Sequence, residues 1–483
     1  MDTSYTKQYI NGEWKVGSSE KTIKNINPYT GEEIFTIRSA DKSDLDKAYE
    51  AAYMTQPEWA NKTVAEKQGL FQKLVDVMLE EKETIIEWLI KESGSTHIKA
   101  MIEFDAALGI VKESMSFPTR MKGYIFPSIF PNKENRIYRI PKGVVAVIGP
   151  WNFPFHLTMR SVAPALATGN TVVIKPASDT PVTSGLIFGS LFEKAGFPKG
   201  LVNVLVGKGS EIGDEFVLHP IPKIISFTGS TEVGRRIGER AGKYLKDVAL
   251  ELGGNNVMIV LKDANIEQAA KAAAFGKFLH QGQICMALNR IVVAKEIYEE
   301  FIEHFIKIVS KLPYGDPADK STFVGPVINK EQADRLEEVV KTSIEQGAKL
   351  IYGGKVEGCL MQPTVLRNVS NDMDIAQKEI FGPIATILKF EDEEEAIEIA
   401  NGSPYGLSGS IFTEDRHHGV ELAMKIETGM IHINDQSVND EAHIPFGGEK
   451  DSGVGRFNGE WAIEKFTTVK WIGVQSGYRE FPL

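Results

Sequence analysis

Between residues 143 and 260, short runs of continuously apolar, β-branched residues alternate with segments of helical character. Val144-Val145-Ala146-Val147-Ile148 and Thr171-Val172-Val173-Ile174 have no polar face. A strand made from either must be covered on both sides, as in a parallel sheet. Leu201-Val202-Asn203-Val204-Leu205-Val206 and Lys223-Ile224-Ile225-Ser226-Phe227 continue the series. Between these runs lie Pro181 to Lys194, Ser210 to Leu218 and Thr231 to Leu245, which read as crossover helices. Strand and helix in alternation predict a doubly wound α/β sheet. A second series follows: strands at Val257 to Val260 and Arg290 to Val293, and helices at Ile266 to Phe278, Glu296 to Lys311 and Glu331 to Gln346. A boundary between the two units is expected near Gly253-Gly254, where a glycine pair can bend the chain.

Other segments do not belong to either series. Residues 41–115 carry a helical period, with Leu70, Phe71, Leu74, Val75, Met78 and Leu79 on one face. Residues 120–141 are proline-rich and alternate weakly at Arg136 to Ile140, and Phe466 to Val474 reads as a strand. Edge strands of this kind need cover, often from another subunit. A chain of 483 residues is too long for one core, so two or three domains are expected.

Charge and cysteine usage exclude several functions. The formal charge is −11, with no basic cluster, which argues against nucleic acid as the partner. Arg235-Arg236 reads as a solvated helix face, and Glu391 to Glu395 as a solvated helix start. No stretch approaches the ~20 apolar residues of a membrane span. Met1 to Tyr5 lack the cationic start of a secretory leader. Two cysteines, Cys285 and Cys359, make no disulfide framework, and the expected location is the cytoplasm. Neither CxxC nor HExxH occurs, and His417-His418 point apart, so no metal is expected.

A few residues carry candidate chemistry. A lone cysteine is usually a small core hydrophobe. Cys285 instead ends Gly282-Gln283-Ile284-Cys285, a flexible turn after a helix, where a thiolate can meet a carbonyl. Cys359 has no such setting. Glu251, between Leu250 and Leu252, would favour its neutral form in an apolar setting and could act as a base. An exposed strand-end carboxylate is the equal alternative. Asn152, fixed in Pro150-Trp151-Asn152-Phe153-Pro154, could donate to an oxyanion. Alone, a turn asparagine bonded to its own backbone is the better reading. Gly207-Lys208-Gly209 with Gly213 is one residue off a dinucleotide fingerprint. Gly229 to Gly234 has P-loop spacing, but Arg235-Arg236 replace the required lysine and hydroxyl. The strand end at Phe227-Thr228-Gly229-Ser230 opens a helix that could hold a phosphate.

Taken in order, these motifs resemble the aldehyde dehydrogenase superfamily from about residue 8 onward. The matching landmarks are Pro150 to Pro154, Lys175-Pro176, Phe227 to Thr231, Glu251 to Gly254, Gly282 to Cys285, Glu379-Ile380-Phe381-Gly382-Pro383 and Pro445-Phe446-Gly447-Gly448. The resemblance implies two doubly wound α/β domains and a small β oligomerisation domain. It assigns 1–119 and 142–253 to the cofactor, 254–450 to catalysis, and 120–141 with 466–483 to oligomerisation. It also implies a homodimer or homotetramer, NAD or NADP as cofactor and a small aldehyde as substrate.

By the same resemblance Cys285 is the nucleophile, Glu251 the base that activates water, and Asn152 with the Cys285 backbone N–H the oxyanion hole. Lys175 matches the adenosine-ribose contact, Ser230 a pyrophosphate contact, Glu379 the nicotinamide-ribose contact, and Phe381 packs near the nicotinamide. Ile148, Pro150, Trp151 and Gly209 are expected beside the cofactor. So are Phe227, Thr228, Gly229 and Thr231 to Gly234, namely Thr231, Glu232, Val233 and Gly234, together with Leu252. Family members that prefer NAD often carry glutamate where Ser178 stands. A serine there would not repel a 2′-phosphate, so tolerance of NADP is expected.

A narrower likeness concerns Glu92 to Thr96, Ser116 to Met121, His280 to Ala287 and Ile433 to Gln436, which look like the benzaldehyde and vanillin dehydrogenase branch. That implies an aromatic aldehyde, with Phe104, Phe153 and Phe446 as candidates to line a flat pocket. The alternatives are an aliphatic aldehyde or semialdehyde dehydrogenase of the same mechanism, a coenzyme A-acylating relative, which usually lacks the base at Glu251, and a catalytically silent homologue.

Overall fold

A computed structural model describes residues 3–483. The first large sheet has eight strands. From one edge they are Glu13–Lys15, Gln8–Ile10, Val202–Val204, Thr171–Lys175, Val144–Ile148, Ile224–Thr228, Asp247–Glu251 and Gly453–Val454. The five strands from Val202–Val204 to Asp247–Glu251 are parallel. Antiparallel strands close both sides. The chain leaves Val144–Ile148 in one direction and later returns beside its other flank at Ile224–Thr228. That reversal opens a crevice at the strands' C-terminal ends.

The apolar runs are covered on both faces, as their lack of a polar face requires. Val145, Val147, Val172 and Ile174 pack into one core. Their neighbours Val144, Ala146 and Val173 pack into another with Ile225 and Phe227. Each of these valine, isoleucine and phenylalanine side chains contributes roughly 1.5–3 kcal/mol when fully buried. The second sheet repeats the plan. Its order is Lys349–Tyr352, Thr364–Arg367, Ile384–Phe390, Leu288–Ala294, Asn256–Val260, Gly409–Phe412 and His432–Ile433. Only Lys349–Tyr352 is antiparallel. The chain crosses from one sheet to the other through residues 252–255.

The remaining elements frame these sheets. Helices Lys42–Asn61, Val64–Glu80, Lys82–Ser93 and His97–Ser114 fill 41–115, the first two begun by capping boxes at Asp41 and Thr63. Phe71, Leu74, Val75 and Met78 are buried as the period requires, whereas Leu79 lies at the outer margin, half exposed. The helix expected from Pro181 begins as a π turn, Val182–Leu186, before Ile187–Lys194. There the carboxylate of Glu92 takes the N–H groups of Val182 and Thr183. Residues 120–141 and the C-terminal strand form one antiparallel sheet, in which Thr467–Gln475 pairs along the whole of Lys133–Pro141 and Tyr124–Pro127 adds an edge. Among the described residues no helix is long and apolar enough to cross a membrane.

Candidate active site

The crevice between Ile148 and Phe227 is the mouth of a cavity of about 630 Å³. Its walls come from Ile148 to Asn152, from Lys175 and Ala177, and from Phe227 to Ser230. Gly209, Val233, Leu252, Glu379, Phe381 and Cys285 complete the part of it that the sequence anticipates. Helix Thr231–Lys243 starts at this wall, capped by Ser230 Oγ, which accepts from the N–H of Val233. Its remaining first-turn N–H groups and its dipole suit a phosphate. Lys175 is buried with its Nζ donating to Pro176 O at 3.0 Å, and burial pulls it down to about 8. Glu379 accepts the N–H of Gly254 at 2.9 Å through Oε1, and burial pushes it up to about 7. The ring of Phe381, a residue with φ 51, meets Trp151 edge-on at 5.3 Å.

Cys285 follows a turn that only a braced backbone can hold. His280, Gln281 and Gly282 are consecutively left-handed, at φ 49, 57 and 69. For the first two this costs of the order of 1 kcal/mol each. The Gln281 side chain holds the turn through Gly94 O, Pro326 O and the N–H of Gly325, and Gln283 Oε1 accepts from Ile328. Gly254 explains the glycine pair of the crossing. A Cβ there would stand 2.1 Å from the carbonyl oxygen of Cys285, which instead accepts from Asn256 Nδ2 at 2.7 Å. Cys285 as a residue is half-buried, and its thiol is the enclosed part. Burial pushes it up to about 12, Glu251, Glu379 and Asp440 add to the rise, and Arg160 opposes it.

Glu251 ends the strand Asp247–Glu251 and is 2% exposed, which removes the reading of a solvated strand-end carboxylate. Neither of its oxygens has a hydrogen-bond partner. Burial pushes it up to about 8, against the pull of Arg160 and Arg456. Asn152 is also buried, and its Nδ2 donates to Gln283 O at 3.0 Å. It therefore reaches across to the cysteine turn.

Several expected contacts fall elsewhere. Ser178, Thr231, Glu232 and Gly234 are not on the cavity wall. Thr231 Oγ1 donates to Asp451 O and accepts from Gly253, Glu232 points to solvent, and Gly234 packs on Leu252. Of the aromatic candidates, Phe104 is wholly in the core, Phe153 meets His280 edge-on at 5.6 Å, and Phe446 carries the guanidinium of Arg160 at 4.0 Å. Arg235 and Arg236 are both exposed, as a solvated helix face requires, Arg235 beside Asp451 and Arg236 paired with Asp214 where it borders the cavity with Arg240. The sequence reading missed Arg160, which donates to Asp440 Oδ2 at 3.1 Å while its Nε and Nη2 lack partners. A lone cation inside the wholly buried helix Pro154–Ala167 was the available signal.

The geometry fits the comparisons. The aldehyde dehydrogenase family model matches residues 14–472. A vanillin dehydrogenase of Corynebacterium glutamicum is 52% identical over 97% of this chain and 98% of its own. A benzaldehyde dehydrogenase of Bacillus subtilis is 49% identical over 99% and 98%. The crystal structure of an NAD-dependent benzaldehyde dehydrogenase from Corynebacterium glutamicum superposes with a TM-score of 0.91 at 49% identity, covering 98% of this chain and 99% of that one. A likeness that runs through both large sheets and nearly the whole length of its relatives makes this chain a member of the aldehyde dehydrogenase family.

Proposed function

We propose that the protein oxidises an aromatic aldehyde of the benzaldehyde or vanillin kind to its carboxylic acid, with NAD or NADP as oxidant. The observation that carries this reading is the buried, unpartnered Glu251, together with Cys285 on the wall of a cavity of about 630 Å³. The relatives' substrates support the aromatic class. The Ser230 helix start, Lys175 and the free Oε2 of Glu379 fit a dinucleotide. When bound, its nicotinamide supplies the hydride acceptor.

Cys285 gives up its thiol proton to solvent, Sγ adds as the thiolate to the carbonyl carbon, and the oxygen gains negative charge. Asn152 Nδ2 and the Cys285 N–H stabilise that charge. After hydride loss the carbon is a thioester on Sγ. Glu251 then takes a proton from water, the hydroxide adds, the C–S bond breaks, and the acid leaves. An unpartnered carboxylate pushed up towards neutrality is suited to that proton transfer.

The division into 1–119 with 142–253, 254–450, and 120–141 with 466–483 belongs to the same proposal, supported by the crossing between sheets at 252–255. A homodimer or homotetramer is proposed on the exposed Val469, Trp471 and Ile472 of the third sheet, which need cover. We place the protein in the cytoplasm and expect NADP to be tolerated, since Ser178 brings no negative charge.

The test is reduced-nicotinamide formation from benzaldehyde, vanillin, hexanal and succinate semialdehyde, beside Cys285→Ala. Preference for the first two, lost in the variant, is expected. A clear preference for the semialdehyde would refute the aromatic class, and silence with every aldehyde would refute the reaction.

A further inference from the structure

Asn152 lies at the joint between strand Val144–Ile148 and helix Pro154–Ala167, and the groups that fix this joint belong to a different helix. Lys99 and Glu103 stand one turn apart on His97–Ser114, both fully buried and paired with each other. Lys99 Nζ donates to the carbonyl oxygen of Asn152 at 2.7 Å, to Ser95 Oγ at 2.9 Å and to Glu103 Oε2, so all its protons are used. It also lies 4.2 Å from the ring centroid of Phe153. Glu103 Oε1 accepts the N–H groups of Phe155 at 2.9 Å and His156 at 3.2 Å. The helix has no capping side chain of its own at Phe153, so Glu103 supplies the cap and complements the helix dipole.

The pair thus grips the chain at two points, the carbonyl of Asn152 itself and the helix start three and four residues further on. Taking two charges wholly out of water is costly, and apolar residues of the same volume often serve stability as well. What such residues cannot do is hold one carbonyl and two N–H groups in place.

We propose that Lys99 and Glu103 are positioning residues for oxyanion stabilisation, holding the Asn152 backbone so that its amide stays aimed at the Cys285 turn. This rests on Asn152 being the oxyanion donor.

The test uses the full-length protein and the single-turnover rate of cofactor reduction with benzaldehyde. Asn152→Ala is expected to lose about a hundredfold or more. Lys99→Met is expected to lose about tenfold to a hundredfold through misplacement, with cofactor affinity unchanged. In Lys99→Met/Asn152→Ala the Lys99 penalty should vanish, because Lys99 acts through a side chain that is gone. If the double variant instead loses both factors in full, the positioning role is overturned while the oxyanion reading stands. If Asn152→Ala keeps the wild-type rate, the oxyanion reading fails and takes this proposal with it. Lys99→Met/Glu103→Leu leaves no unpaired charge and covers the case in which Lys99→Met does not fold. A wild-type melting temperature with a lowered rate supports the proposal, and a wild-type rate overturns it.

Discussion

Thioester hydrolysis should rise with pH along a limb set by Glu251. Its carboxylate is enclosed without a hydrogen-bond partner, and burial pushes it up to about 8. Such a group is about one-tenth ionised at pH 7, half at pH 8 and nine-tenths at pH 9. If its ionised form draws the proton from water, hydrolysis should quicken about fivefold from pH 7 to 8 and less than twofold from pH 8 to 9. A glutamate with its usual value near 4.5 would leave the same range flat. Arg160 pulls Glu251 down, so Arg160→Gln should move the limb to higher pH. The assay is rapid-quench measurement of acid release from preformed acyl-enzyme. Cofactor reduction must be followed separately, because Cys285, pushed up to about 12, gives acylation its own pH dependence. A hydrolysis rate that is flat across this range, or indifferent to Glu251→Gln, would refute the reasoning.

Other outcomes follow from the same geometry. The folded protein holds a proton on Glu251 up to about 8, while the unfolded chain releases it near 4.5, so stability present at low pH is lost as pH rises between those values. Glu251→Gln should therefore melt several degrees above wild type at pH 9 and much closer to it at pH 5, by calorimetry. Gly254→Ala should abolish activity, because its Cβ would fall 2.1 Å from the Cys285 carbonyl; a fully active, normally melting variant would contradict that. Ser178→Glu should weaken NADP at least tenfold relative to NAD in binding titrations, if a 2′-phosphate lies near. Unchanged discrimination would remove Ser178 from cofactor selection.

What could be read from the sequence follows the range of the forces involved. Val144 to Ile148 announces a strand buried on both faces because its pattern is local, and both cores are found. The turn before Cys285 was legible from Gly282, but the left-handed His280 and Gln281 were not, because what holds them comes from Gly94 and Pro326. Glu251 stayed balanced between two readings because burial is a tertiary property. Arg160 escaped notice because its partner, Asp440, lies 280 positions away. Lys99 and Glu103 have the i, i+4 spacing of an ordinary surface pair, and only the fold brings Asn152 against them. Ser178 is three residues from Lys175, yet the turn after Pro176 carries it off the wall that Lys175 and Ala177 form.

The most direct test of the mechanism is the mass of the Cys285-bearing peptide from Glu251→Gln protein, quenched in acid after mixing with benzaldehyde and NAD. One benzoyl group is expected on Cys285, formed together with one equivalent of reduced cofactor and not released. Reduced cofactor accompanied by free benzoate and an unmodified Cys285 would contradict it.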